Sequence, residues 1–288
     1  MKDGYHSPYW VELYDIGQEY FDFLNEDANV FLEAYKDMRA KRTLNGPEDE
    51  FIFLDIACGS GRVFIQLADN LVQSGEPSDQ TKFLGLDYSA HMVKRANERL
   101  PKALSHGVKY IQGSATDLAV VKELQGPPSV DLMTFAAGSI SVLSEPGQAE
   151  QFLAQATSVL RPKTGRVFIS VRYDFDDSRK AERKRLEERM DDGTYSQDIP
   201  SALFPGIVYR QGQITQRREG NLAFWDLPGQ VIKKDGNGVE SIIDEDVASM
   251  GGRVWQDGEV LLAATTAGLE LVSTHSTSNE TIYVFKKA

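Results

Sequence analysis

Phe51-Ile-Phe-Leu-Asp-Ile-Ala-Cys-Gly-Ser-Gly-Arg62 is the stretch on which the fold turns. The apolar run Phe51 to Leu54 predicts a buried strand ending at Asp55. Gly59-Ser60-Gly61 predicts a tight turn, and Val63, Phe64, Leu67 and Leu71 fall on one face of a following helix. Strand, small-residue turn and helix form a corner where backbone N–H groups at the helix start can approach a ligand closely. Alone, such a corner is a weak signal.

The pattern repeats downstream. Lys82 to Asp87 reads as a second acid-ended strand, with a helix from Ser89 to Leu100 capped by Ser89. Val108 to Gln112 is a third strand, and Ser114 to Leu124 is expected to contain a helix. Val130 to Ala136 and Arg166 to Val171 are strands four and five, with a helix from Ala149 to Leu160 between them. Regular alternation of this kind means a mostly parallel sheet covered by helices on both faces. Ligands in such sheets bind beyond the carboxyl ends of the strands. Asp55, Asp87, Ser114 to Asp117 and Ala136 to Ser139 all follow strand ends, so four separate segments converge on one crevice.

Around this frame lie two additions. Residues 8 to 43 carry aromatic and aliphatic residues at helical spacing, including Trp10, Leu13, Tyr14, Phe21, Leu24, Phe31 and Tyr35. After strand five, Ser178 to Met190 reads as a charged, solvated helix. Short antiparallel strands are then expected at 207–210, 214–218, 222–225, 230–233 and 239–243, separated by turn chemistry such as Gly220-Asn221 and Asp235-Gly-Asn-Gly238. A helix from Asp257 to Ala267 and two strands, Leu269 to Thr274 and Thr281 to Lys286, close the chain. The expected division is a helical flap at 1–45, a ligand-binding core at 46–175 and 249–288, and an inserted lid at 176–248.

With 288 residues and a net charge of −12, the chain is a poor partner for nucleic acid, whose phosphates would be repelled over most of the surface. No apolar run reaches the roughly 20 residues a bilayer crossing needs. The first ten residues lack signal-peptide features, and a single cysteine, Cys58, excludes a disulfide framework or a cysteine-cluster metal site. A cytoplasmic protein that uses no metal is expected; a homo-oligomer stays open.

Taken in order, these residues resemble the class I S-adenosylmethionine-dependent methyltransferases, in their small-molecule branch. Leu54 to Gly61 resembles the family's first motif and Phe83 to Met92 its second. Gln112 to Leu118 resembles the third, and Val159 to Val167 the turn before strand five. Gly252 to Trp255, Glu259 and Ala267 to Leu269 resemble its last-helix signature. The resemblance implies a Rossmann-like doubly wound sheet of seven strands, mostly parallel, with a C-terminal antiparallel pair. It implies S-adenosyl-L-methionine as methyl donor and S-adenosyl-L-homocysteine as product. Asp55, Ala57, Gly59, Gly61 and Arg62 would border the methionine portion. Asp87 would accept the ribose hydroxyls, and Tyr88, Met92, Ser114, Ala115, Thr116, Asp117 and Ala136 would surround the rest. Ala57 stands where a glycine is commonest, and Cys58 reads as a small filler of the turn.

Methyl transfer from a sulfonium needs chiefly alignment and exclusion of water. A general base helps only a poor nucleophile, and His6 is the one histidine placed to reach an acceptor. A glycine N-methyltransferase type is the nearest likeness within the class. It implies that Arg172 pairs with a substrate carboxylate, a role suited to a forked guanidinium. Gly138, Ser139 and Ser141 lie in the corresponding loop after strand four, without that family's asparagine. Tyr9, Tyr14, Tyr209 and Trp225 are candidates to line or roof the acceptor pocket. An amine nitrogen on a carboxylate-bearing or natural-product acceptor is the expected target, with oxygen or sulfur as alternatives. A cofactor-binding protein without transfer activity is the rival reading.

Overall fold

The computed structural model describes residues 5–20, 26–44, 46, 49–75, 78–127, 129–182, 184–185, 198–213 and 215–288. Two helices, α1 (Pro8–Tyr20) and α2 (Asp27–Lys41), precede the sheet. The alternating unit then runs β1 (Phe51–Ile56), α3 (Arg62–Ser74), β2 (Thr81–Asp87), α4 (Ala90–Glu98), β3 (Val108–Gln112), β4 (Leu132–Phe135), α5 (Gln148–Val159) and β5 (Arg166–Arg172). The insertion holds β6 (Asp198–Pro200), β7 (Ile207–Gln211), β8 (Thr215–Glu219), β9 (Leu222–Lys234) and β10 (Glu240–Arg253). The chain ends with α6 (Glu259–Thr266), β11 (Leu269–Ser276) and β12 (Glu280–Lys287).

The main sheet has seven strands in the order β11-β12-β5-β4-β1-β2-β3. β3, β2, β1, β4 and β5 are parallel, and β12 and β11 add an antiparallel pair. The order reverses on either side of β1, so the switch point lies where Asp55 ends its strand. Side-chain alternation sends Phe51 and Phe53 to one face, against Phe31, Tyr35, Phe64 and Phe83. Leu54 and Ile56 go to the other, against Phe135, Phe152, Trp255 and Phe285. The predicted stripe of α3 (Val63, Phe64, Leu67, Leu71) is buried throughout. Each such side chain contributes roughly 1.5–3 kcal/mol by leaving water, which fixes the strand ends that the site depends on.

Three expectations change. Ser114 to Leu124 forms no α-helix, only two short 3-10 turns at Leu118–Val120 and Lys122–Leu124. The Ser114 hydroxyl accepts from the Thr116 N–H (3.2 Å), a local turn that competes with helix hydrogen bonds. Second, the expected strands 222–225 and 230–233 are one continuous strand, β9. Pro228 is tolerated because it lies where one neighbour gives way to another: β8 pairs with residues up to Asp226, and β7 from Gly229 onward. Third, β10 runs far past the expected end at 243, to Arg253. Phe21, Leu24 and residues 183 and 186–190 of the expected charged helix lie outside the described residues. No helix among the described residues is long and apolar enough to cross a membrane.

Candidate active site

Asp55 is buried, at 1% exposure, where β1 meets the glycine turn. Its Oδ1 accepts from the Thr134 hydroxyl of β4 (2.7 Å), while Oδ2 has no hydrogen-bond partner. Burial pushes its pKa up to about 7; the Thr134 hydrogen bond and the Arg62 charge oppose the shift without cancelling it. A buried acid with one open oxygen suits a cationic group from a ligand.

The turn beyond it is shaped by backbone conformation. Ala57 (φ 52°), Gly59 (φ 54°) and Gly61 (φ 90°) all lie in the left-handed region. Gly61 has a second constraint: a Cβ there would lie 2.5 Å from the Tyr110 hydroxyl oxygen. Cys58 is buried between these residues, and desolvation holds its thiol well above its ordinary pKa. It is packing material, as expected.

Asp87 ties the two corners together. Its Oδ2 accepts from the Gly59 N–H (2.8 Å) and its Oδ1 from the Ser89 N–H (2.9 Å). Asp87 itself is half-buried. Tyr88, beside it, is 76% exposed, whereas Met92 is buried in α4. Ser114, Ala115 and Thr116 are half-buried and Asp117 exposed, in the turn after β3. Ala136 is buried at the end of β4.

Gly138 follows at φ 70°, its N–H donating to the Ser170 hydroxyl of β5 (2.7 Å). The Arg172 side chain crosses directly over it; a Cβ on Gly138 would lie 2.7 Å from Arg172 Cγ. Gly138, Ser139 and Arg172 are therefore brought together. Arg172 Nε and Nη2 donate to Asp174 (3.0 and 2.9 Å), a pairing that a substrate carboxylate would have to share or replace.

Several other candidate residues have partners within the chain. Arg62 donates through Nη1 and Nη2 to Asp27 (2.6 and 2.7 Å), bracing α3 against α2 rather than facing a ligand. Ser141 is buried and accepts from Trp255 Nε1 (3.2 Å). Tyr209, fully buried, donates its hydroxyl to Glu12 Oε2 (2.6 Å). Trp225 is buried within the insertion sheet. Tyr9 stacks edge-on against Phe204 with centroids 4.8 Å apart. His6 sits 3.4 Å from Asp244 and 3.9 Å from Asp246 of β10, so it is engaged with the insertion.

The residues missed by sequence reasoning are buried acids on α1 and α2. Asp15 Oδ1 accepts from the Ser60 hydroxyl (2.5 Å) and Arg99 (2.6 Å), and Oδ2 from Arg95 (2.7 Å). One turn earlier, Glu12 receives the Ser201 hydroxyl (2.6 Å), the Ala202 and Leu203 N–H groups (2.8 and 2.9 Å) and Tyr209. Trp10 adds a bond to Asp244 (2.9 Å) and packs on Gly229. α1 is thus a strap fastened at one end to the glycine turn and at the other to the insertion sheet. Tyr14 lies under it, its hydroxyl 3.5 Å from where a Gly59 Cβ would be. Burial pushes that phenol up to about 12, so it stays neutral.

Comparison with known proteins places this geometry. A model described as a methyltransferase domain matches residues 47–221. The chain is similar to a Cladobotryum protein named N-methyltransferase FrzE, 26% identical over 99% of this chain and 96% of that one. Among solved structures it resembles DesVI from Streptomyces venezuelae, with a TM-score of 0.59, 17% identity and coverage of 95% of this chain and 98% of that one. It also resembles an S-adenosylmethionine-dependent methyltransferase from Clostridium acetobutylicum, with a TM-score of 0.53, 14% identity and coverage of 90% and 98%. The chain belongs to the methyltransferase domain family and is a class I S-adenosylmethionine-dependent methyltransferase.

Proposed function

We propose that the chain transfers a methyl group to an amine nitrogen of a small, natural-product-type acceptor. The observation that carries this reading is the similarity to N-methyltransferase FrzE over almost the full length of both chains, insertion included. S-adenosylmethionine, when bound, supplies an electrophilic methyl group on a sulfonium. Asp55, with its open Oδ2, is the residue for the cofactor's ammonium. Asp87 is placed for the ribose hydroxyls while it holds Gly59 and Ser89. Tyr88 and the 114–117 turn flank the adenine end; Tyr14, Gly59 and Ala136 flank the methionine end.

The chain's own contribution is positional. α1 and the insertion sheet cover the crevice, so the acceptor is held in line with little competing water. A neutral amine needs no general base for attack; His6 is engaged with the insertion, and the Tyr14 phenol stays neutral. α1 acts as the strap, α2 packs on the core formed by 46–175 and 249–288, and the insertion strands act as the lid, with β10 joining lid to core. An acceptor screen with methyl-labelled cofactor and mass-spectrometric location of the label tests this. Amines are expected to be labelled on nitrogen; labelling on oxygen or sulfur alone would overturn the amine assignment.

A further inference from the structure

Glu280 opens β12 at the crevice edge of the sheet, directly across the ladder from Arg172. Its diagonal neighbour on the same face is Ser170, the hydroxyl that fixes Gly138. The side chain is 1% exposed, and neither carboxylate oxygen has a hydrogen-bond partner. The neighbouring Ser170 hydroxyl favours the charged form as a hydrogen-bond donor, although in this geometry it accepts from Gly138 and donates to the Phe135 carbonyl (3.4 Å).

The surrounding charges do not balance. The groups facing Glu280 are Asp27 at the start of α2, Arg62 at the start of α3 and Arg172 on β5. Arg62 is bonded to Asp27, and Arg172 to Asp174. Each guanidinium has its own acid, and Glu280 is the acid in excess. Burial, reinforced by Asp27, raises its pKa.

Its position is also fixed. The Glu280 N–H donates to the Thr277 hydroxyl (3.1 Å), and the N–H and hydroxyl of Ser278 both donate to Glu26, next to α2 (2.8 and 2.7 Å). A buried, oriented, unpartnered carboxylate beside Gly138 and Arg172 suits a cation that arrives with the acceptor. Amine acceptors bring one: the neutral amine that attacks the methyl carbon gains positive charge as the N–C bond forms and the C–S bond breaks.

We propose that Glu280 is the anionic seat for the positive charge that develops on the acceptor nitrogen as it takes the methyl group, and that it determines the enzyme's preference for amines. The assignment rests on the amine reading above. It is tested by binding, with two cofactor analogues that differ at the reacting position. In sinefungin a C–NH3+ group replaces the sulfonium and its methyl, directing an ammonium toward the acceptor; S-adenosylhomocysteine has no such charge. Glu280→Gln is expected to weaken sinefungin about tenfold relative to S-adenosylhomocysteine, whose affinity stays within about twofold. Asp55→Asn, by contrast, should weaken both alike, since both carry the amino-acid ammonium. In the wild type, the sinefungin preference should decline as the pH is lowered through the raised pKa of Glu280. Equal changes for both ligands in Glu280→Gln, no change for either, or a pH-independent preference would each overturn the assignment. Failure of the wild type to bind S-adenosylhomocysteine would instead remove the cofactor assignment itself.

Discussion

Asp55 and Asp87 both end apolar strands, yet their surroundings give them different behaviour. Asp87 is half-buried and accepts from two backbone N–H groups, whereas Asp55 is raised from 3.8 to about 7 by burial. A carboxyl whose folded pKa exceeds its unfolded value contributes stability that is complete below about pH 4 and lost as the pH rises through about 7. The free enzyme should therefore lose stability across that window, and Asp55→Asn should flatten the dependence. A bound ammonium favours the ionised form, so cofactor affinity should rise over the same window with proton release. Calorimetry in buffers of different ionisation enthalpy measures that proton directly. Asp87→Ala should weaken the cofactor at least about tenfold through lost charge-assisted hydrogen bonds, and loosen Gly59. An unchanged cofactor affinity would refute its ribose role. These two acids were legible because each terminates an apolar run before a small-residue turn. Glu12, Asp15, Asp27 and Glu280 were not, because an acid inside a helix or at a strand start reads the same whether it faces water or a buried arginine. Arg62 misled for the converse reason: it adjoins the ligand turn in sequence, but its side chain runs back to α2.

At the scale of elements, the alternating core was readable because buried parallel strands and amphipathic helices impose different periods on the chain. The turn after β3 was not, since Ser114 and Thr116 satisfy the backbone locally where a helix was expected. The length of β9 was hidden by Pro228, whose place between the β8 and β7 pairings depends on strands distant in sequence. The strap role of α1 was equally hidden. Its aromatic spacing signalled burial, but its fastening depends on Glu12 and Asp15, a turn apart on that helix. Asp15→Ala leaves Arg95 and Arg99 facing a lost partner in a largely buried site, and removal of one member of such a group costs about 3–5 kcal/mol. A lower denaturation midpoint, together with a raised KM for S-adenosylmethionine, is the expected result. Glu12→Gln retains shape and part of the hydrogen bonding, so it should cost only about 1–3 kcal/mol. If it raised the cofactor KM as much as Asp15→Ala, the two ends of the strap would not be separable.

At the scale of the whole molecule, the two sheets are linked, among the described residues, by α1, by Arg218 of β8, which donates to the Asp174 carbonyl, and by the run of β10 into Arg253. Arg253 continues that link by pairing with Glu150 and Glu259 of the core helices. Strap and strand together make the seven-stranded sheet and the insertion one cooperative unit. The net charge of −12 acts at the same scale, favouring approach of cationic small molecules over anionic ones and weakening with salt. Cofactor binding should stabilise the entire unit rather than the corner alone. With S-adenosylhomocysteine about a hundredfold above its Kd, linkage supplies about 2.7 kcal/mol. Thermal unfolding should stay a single transition, moved upward, when followed by tryptophan fluorescence. Trp10 belongs to the strap, Trp225 to the insertion and Trp255 to the core, so the signal samples all three parts. In Asp15→Ala, with the strap unfastened from the glycine turn, the ligand should still raise the core transition while the insertion melts earlier. Two transitions, only one of them ligand-dependent, would establish that α1 carries the coupling. A single ligand-shifted transition in that variant would assign the coupling to β10 and Arg253 instead.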